Sequence, residues 1–96
     1  EPFAALDAET RVNLQNEFSH MWHRLKKTVL LVTHDLQEAI ALSDRVLVMS
    51  GRPGSIKAEI EIPFARPRNI ADLRFTDDFQ HLAERVWRKR KDEFKA

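Results

Sequence analysis

Ninety-six residues suffice for one modest domain with a single core. Sixteen Lys and Arg against 15 Asp and Glu leave a net charge of +1, which excludes a strong steering field and forecasts no nucleic-acid partner. Cysteine is absent, excluding disulfides and thiolate metal sites, and no apolar run approaches the roughly 20 residues that span a bilayer. Glu1 followed at once by Pro2 and Phe3, without an initiator Met, reads as a cut through a longer protein.

After the short loop Glu1-Pro2-Phe3-Ala4-Ala5-Leu6, Asp7 is a good N-cap, and Glu9 places negative charge in the first turn of a helix. Leu14, Phe18, Met21, Trp22 and Leu25 follow the rhythm of one buried helical face, and Arg24, Lys26 and Lys27 end it with positive charge. Such a stripe reads as core packing before it reads as a cofactor box. His20 and His23, three apart on this helix, lack a third ligand at a suggestive spacing, so a solvated pair outweighs a metal site.

Residues 28–49 are the centre of the pattern. Val29-Leu30-Leu31-Val32 and Val46-Leu47-Val48-Met49 are continuous apolar runs, separated by a segment of the right length for a short crossover helix. Two such runs joined by a helix predict a βαβ unit, with parallel strands covered on both faces. Asp35 is the expected N-cap of the intervening helix, with Glu38 as its capping-box partner; Leu36, Ala39 and Ile40 face inward, and Ser43-Asp44 ends it. His34 and Asp35 stand where the first strand ends. In open α/β sheets that is where ligands bind. The pair is either chemistry or a helix cap.

Ser50-Gly51-Arg52-Pro53-Gly54 is dense in turn residues. Ile56, Ala58, Ile60 and Ile62 then alternate with Lys57, Glu59 and Glu61, so one face is buried and one wet. This strand is expected to pair antiparallel with Arg45–Met49 at a sheet edge, where its charges discourage aggregation. Residues 63–69 contain two prolines and cannot be regular. Thr76 is the expected N-cap of a last helix, with Asp77 and Asp78 in its first turn. Phe79, Leu82, Ala83, Val86, Trp87 and Phe94 form its apolar stripe. The basic run Arg88-Lys89-Arg90-Lys91 is interrupted by Asp92 and Glu93, and cations near a helix end are ordinary, so it does not argue for nucleic acid.

Three stretches together resemble one family. Glu1-Pro2-Phe3-Ala4-Ala5-Leu6-Asp7 resembles the end of a Walker B motif running into the D-loop of an ATP-binding-cassette (ABC) ATPase. Val32-Thr33-His34-Asp35 with Glu38-Ala39 resembles the family's H-loop, and Ser43-Asp44-Arg45 before an apolar strand resembles its usual continuation. Leu14-Gln15 with Glu17, the turn Arg52-Pro53-Gly54 and the segment Arg66-Pro67-Arg68 are similar to the ATPase subunits of nitrate, sulfonate and taurine importers.

The resemblance implies an α/β fragment of a P-loop NTPase domain: a parallel βαβ core, an antiparallel edge strand and a C-terminal helix. On this reading residues 1–7 are the D-loop, 28–44 the H-loop strand and helix, 45–62 the edge hairpin, and 63–96 the tail and last helix. It also implies roles. Glu1 matches the carboxylate that orients or deprotonates the attacking water, a function worth about 10² to 10⁴ in rate. His34 matches the residue that contacts the γ-phosphate of ATP; phosphoryl transfer rests on donors facing the equatorial oxygens. Asp7 matches the D-loop aspartate at the dimer interface, and its N-cap role holds at the same time. Without the resemblance, Glu1 reads as a loop carboxylate and His34 as a structural histidine.

The implied parent is an ATPase subunit on the cytoplasmic face of the membrane. It would be dimeric, use ATP and Mg²⁺, dock on transmembrane permease subunits and serve a solute-binding protein indirectly. The G-x-x-x-x-G-K-[ST] phosphate loop, the glutamine loop and the glycine-rich signature are not in these 96 residues, so the fragment alone is expected to be inactive. The rival reading is a non-catalytic interaction module that keeps the fold and hydrolyses nothing. The residues preceding Glu1 in the native protein separate the two.

Overall fold

A computed structural model describes residues 3, 5–51 and 54–95, with side chains described as far as Lys91. Its elements are α1 (Ala8–Leu25), α2 (Leu36–Leu42), β1 (Arg45–Met49), β2 (Ile56–Glu61), α3 (Ile70–Leu73) and α4 (Asp77–Lys95).

The caps are where local sequence placed them. Asp7 Oδ1 accepts the Thr10 N–H at 3.0 Å and starts α1. Asp35 Oδ1 accepts the N–H groups of Gln37 and Glu38 at 3.0 and 3.2 Å and starts α2. Thr76 Oγ1 accepts the Phe79 N–H at 3.2 Å and starts α4. Each pairs a donor that the first helical turn leaves orphaned. The capping box at α2 does not close. The Asp35 N–H donates instead to Thr33 Oγ1 at 3.0 Å, because Glu38 turns inward, where its Oε2 accepts from Gln15 Nε2 at 3.1 Å. α1 ends on Lys26 in the left-handed region (φ 53°), whose N–H returns to the Trp22 carbonyl. The unpredicted α3 is also capped locally, by Asn69 Oδ1 on the Asp72 N–H.

β1 and β2 form a two-stranded antiparallel sheet, as expected, with Val46 opposite Ile60 and Val48 opposite Ala58. A register shift between Val48 and Met49 sets Met49 opposite Ile56. On β2, Ile60 is buried and Ala58 half-buried, but Ile56, beyond the shift, is exposed. The parallel βαβ core is not present among the described residues. Residues 28–33 join no ladder, since a strand is defined by a hydrogen-bonding neighbour and none of the described backbone lies beside them. β1 is correspondingly covered on one face only: Val46 and Val48 are buried, while Leu47 and Met49 are exposed.

The core lies between α2, α3, α4 and the sheet. Phe79, Ile40, Ile70 and Val86 are its largest fully buried apolar side chains, and Phe79 stacks on Phe64 with ring centroids 6.1 Å apart. Burying each contributes about 1.5–3 kcal/mol. On α4, Phe79, Leu82 and Val86 are buried, Trp87 is half exposed, and Phe94 lies outside the described side chains.

α1 departs from its pattern. Its buried residues are Val12, Gln15 and Ser19, whereas Phe18 and Leu25, from the apolar stripe, are exposed. The buried side is the polar one because partners exist there: Glu38 for Gln15 and Arg66 for Ser19. Within the apolar stripe Leu14 and Trp22 are partly buried against the core, while Phe18 and Leu25 are exposed, as are Leu30 (87%) and Val32 (74%) in the segment that follows. The isolated 96-residue chain is therefore expected to self-associate. Covering each of these side chains gains about 1.5–3 kcal/mol. Sedimentation equilibrium at micromolar concentration is expected to give a mass above the 11.2 kDa of the monomer; a monomer that unfolds cooperatively would overturn this.

Candidate functional site

Of the residues singled out by sequence, His34 is the best placed for chemistry. It is exposed, in the bend between residues 28–33, which have no regular structure, and the first turn of α2. Its backbone is tightly held. Thr33 Oγ1 accepts the N–H of Asp35 on one side, and the Asp35 carboxylate anchors the helix that follows. From the far end of the chain, Arg90 Nη1 on α4 donates to the His34 carbonyl at 2.8 Å. The ring is thus carried on a fixed backbone at the mouth of two clefts.

The larger cleft, about 1110 Å³, separates residues 28–36 from β1 and has an apolar floor that includes Leu31, Leu42 and Val46. The smaller, about 670 Å³, lies between the start of α2 and α4, bordered by Gln37, His81 and Trp87. His34 and Arg90 line both.

Asp7 lines neither cleft. Its carboxylate is bound locally, Oδ1 to the Thr10 N–H and Oδ2 to the Thr10 hydroxyl at 2.9 Å. These bonds, the backbone one first, hold its pKa below the usual carboxylate value. The loop before it is tied down by Arg11, whose Nε donates to the Phe3 carbonyl at 3.1 Å and whose Nη2 donates to the Leu6 carbonyl at 2.7 Å. Phe3 is buried, with its ring 5.6 Å from that of Phe18. Glu1 lies outside the described residues.

Sequence reasoning missed the groups that set this geometry. α2 has only seven residues and no basic residue in its last turn. Its terminal carbonyls are served from the tail. Arg68 Nη1 donates to the carbonyls of Ala41 (3.0 Å) and Ser43 (2.8 Å), with a longer bond to Ile40 (3.4 Å). Arg68 Nε and Nη2 both donate to the Phe64 carbonyl. Arg66 donates to the Leu42 carbonyl, to Ser19 Oγ at 3.2 Å and to Asp44 Oδ1 at 2.8 Å. Two guanidinium groups thus meet the orphan acceptors at the negative end of a helix too short to be stable alone. Burial of Arg68, with Arg66 beside it and Asp44 opposing, pulls its pKa down to about 10. No local pattern announces these contacts, because each spans 22 to 47 residues except that to Phe64.

Among the described residues no group of three or more His, Asp or Glu side chains is arranged to hold a metal, and His20 Nε2 lies 3.3 Å from the Arg68 carbonyl. No described helix is long and apolar enough to cross a membrane.

No protein-family model matches the chain. Among curated proteins it is 52% identical over 77 residues to an uncharacterized ABC transporter ATP-binding protein of Methanocaldococcus jannaschii, a match covering 80% of this chain and 29% of that protein. It is 49% identical over 86 residues to an aliphatic sulfonates import ATP-binding protein of Streptomyces avermitilis, covering 90% of this chain and 32% of that protein. It is 44% identical over 87 residues to a putative ATP-binding protein of Brucella abortus, covering 91% of this chain and 33% of that protein. The chain spans about a third of the length of these relatives.

Proposed function

The chain is homologous over most of its length to the ATP-binding proteins of ABC transporters, and from that premise we propose that it is the C-terminal portion of an ATPase subunit powering import of a small sulfonate-like oxyanion. The observation that carries the reading is His34: exposed, at the end of the apolar segment 28–33, on a backbone held from both sides. Its ring is the donor to the γ-phosphate oxygens, where developing charge needs a fixed partner. Bound ATP with Mg²⁺ supplies the phosphoryl group and neutralises its charge. Glu1 orients the attacking water, and Asp7, on its Arg11-braced loop, faces the second subunit of a dimer.

The phosphate loop belongs to the remainder of the full-length protein, as do the strands that complete the sheet beside residues 28–33. That protein docks on transmembrane permease subunits at the cytoplasmic face of the membrane. Solutes of the nitrate and taurine type fall in the same chemical class as the sulfonates named for its relatives.

The test has two arms. Full-length protein is expected to release phosphate from Mg-ATP, and absence of release in the assembled transporter would overturn the reading. The 96 residues alone are expected to bind no Mg-ATP, since no G-x-x-x-x-G-K-[ST] loop is among them. Titration calorimetry checks this, and a saturable micromolar affinity would contradict it.

A further inference from the structure

We propose that Arg90, on the C-terminal helix, is a positioning residue for His34: it fixes the backbone of the phosphate-facing histidine from a site 56 residues away in sequence. The inference rests on the reading of His34 given above.

Three observations carry it. Arg90 Nη1 donates to the His34 carbonyl at 2.8 Å, a geometry in the range of a strong charge-assisted bond. His34 has no regular secondary structure of its own. It lies in a bend, so its φ and ψ are not set by a ladder or a helix. The peptide plane between His34 and Asp35 is held at its nitrogen by Thr33 Oγ1, while the Asp35 carboxylate fixes the turn that follows; a bond to its oxygen comes from α4. That oxygen is what Arg90 holds. Rotation of this plane would swing the ring, and a small misplacement of a catalytic group is costly.

Arg90 can act in this way because α4 is itself well anchored. Val86, one turn earlier, is fully buried, and Phe79 and Leu82 seat the helix in the core beside α2. Arg90 is half-buried and lines both clefts beside His34. A displacement of α4 would therefore be felt at His34 directly, through this bond. The C-terminal helix becomes a support of the site rather than an appendage.

The experiment uses the full-length protein and substitutes Arg90→Met and Arg90→Lys, alone and combined with His34→Ala. Arg90→Met is expected to lower kcat about tenfold with little change in KM for ATP, because the histidine is misplaced rather than lost. Arg90→Lys, which keeps a charged donor, is expected to recover most of that loss. In the His34→Ala background, Arg90→Met is expected to cause no further fall, since it acts through the histidine. Hydrogen exchange in Arg90→Met is expected to be faster for the amides of residues 34–37 and unchanged in α4 up to Val86. An equal loss of kcat in both backgrounds would overturn the proposal, as would unaltered exchange at residues 34–37. If His34→Ala alone turns over like wild type, the assignment of His34 to phosphate fails, and the exchange measurement still decides whether Arg90 positions it.

Discussion

Replacing His34 by Ala in the full-length protein is expected to lower ATP turnover by about 10² to 10³-fold while leaving nucleotide affinity within about threefold. The residue is exposed, so its removal is expected to cost at most about 0.5 kcal/mol of stability. Lost turnover therefore reports chemistry, not unfolding. Most affinity for a triphosphate comes from groups that cradle the phosphates, whereas a donor aimed at the γ-phosphate acts where charge develops in the transition state. The measurements are steady-state phosphate release and equilibrium nucleotide binding on the same preparation. Turnover at the wild-type rate would remove His34 from the mechanism. A parallel fall in affinity and rate would make it a ground-state contact. Glu1→Gln is expected to lower turnover likewise and to favour a nucleotide-bound dimer.

Arg68→Met is expected to destabilise the protein by on the order of 3 kcal/mol, read from the denaturant midpoint at unchanged slope. Methionine fills most of the volume but leaves the carbonyls of Ala41, Ser43 and Phe64 without the donors they have now. Each buried acceptor left unpaired costs about 1–3 kcal/mol, and relaxation of the short α2 recovers part of it. Arg68→Lys is expected to fall between, because one ammonium cannot reach oxygens on both sides of the planar guanidinium. A Met variant as stable as wild type would show that apolar packing replaces the charge without loss, as happens at some buried ion pairs. The effect should not vary between pH 5 and 9. The folded-state value of about 10 keeps Arg68 charged there in both states, and the stability cost of burying that charge is recovered only as pH rises above about 10.

What the sequence made legible was local or periodic. Asp7, Asp35 and Thr76 cap helices because a short polar side chain reaches its own next turn whatever the rest of the chain does. The alternation from Ile56 to Ile62 carried the antiparallel strand, since period two needs only one covered face. Residues 28–33 show where that logic stops. Their composition is that of a buried strand, but pairing is a property of two segments, and no second one is present among the described residues. The stripe from Leu14 to Leu25 held only in part, at Leu14 and Trp22, for a related reason. Periodicity identifies a face without identifying what covers it, and burial went to Gln15 and Ser19, which have polar partners on α2 and in the tail. His34 could be singled out from the sequence as a candidate. Its supports, Arg90 and Arg68, could not, because a basic residue on an ordinary helix or beside a proline carries no mark of the distant carbonyl it serves.

That Arg68 and Arg90 bond to main-chain oxygens has an evolutionary consequence. Every residue type presents the same carbonyl, so a substitution at position 34, 41, 43 or 64 leaves the arginine's partner in place. Drift at those positions requires no compensating change at 68 or 90. These long-range bonds will accordingly leave little trace as correlated substitutions across descendants; the restraint they impose falls on the arginines, and any restraint at position 34 comes from its ring instead. The Arg66–Asp44 pair is of the opposite kind, side chain to side chain, and is the one expected to change in concert.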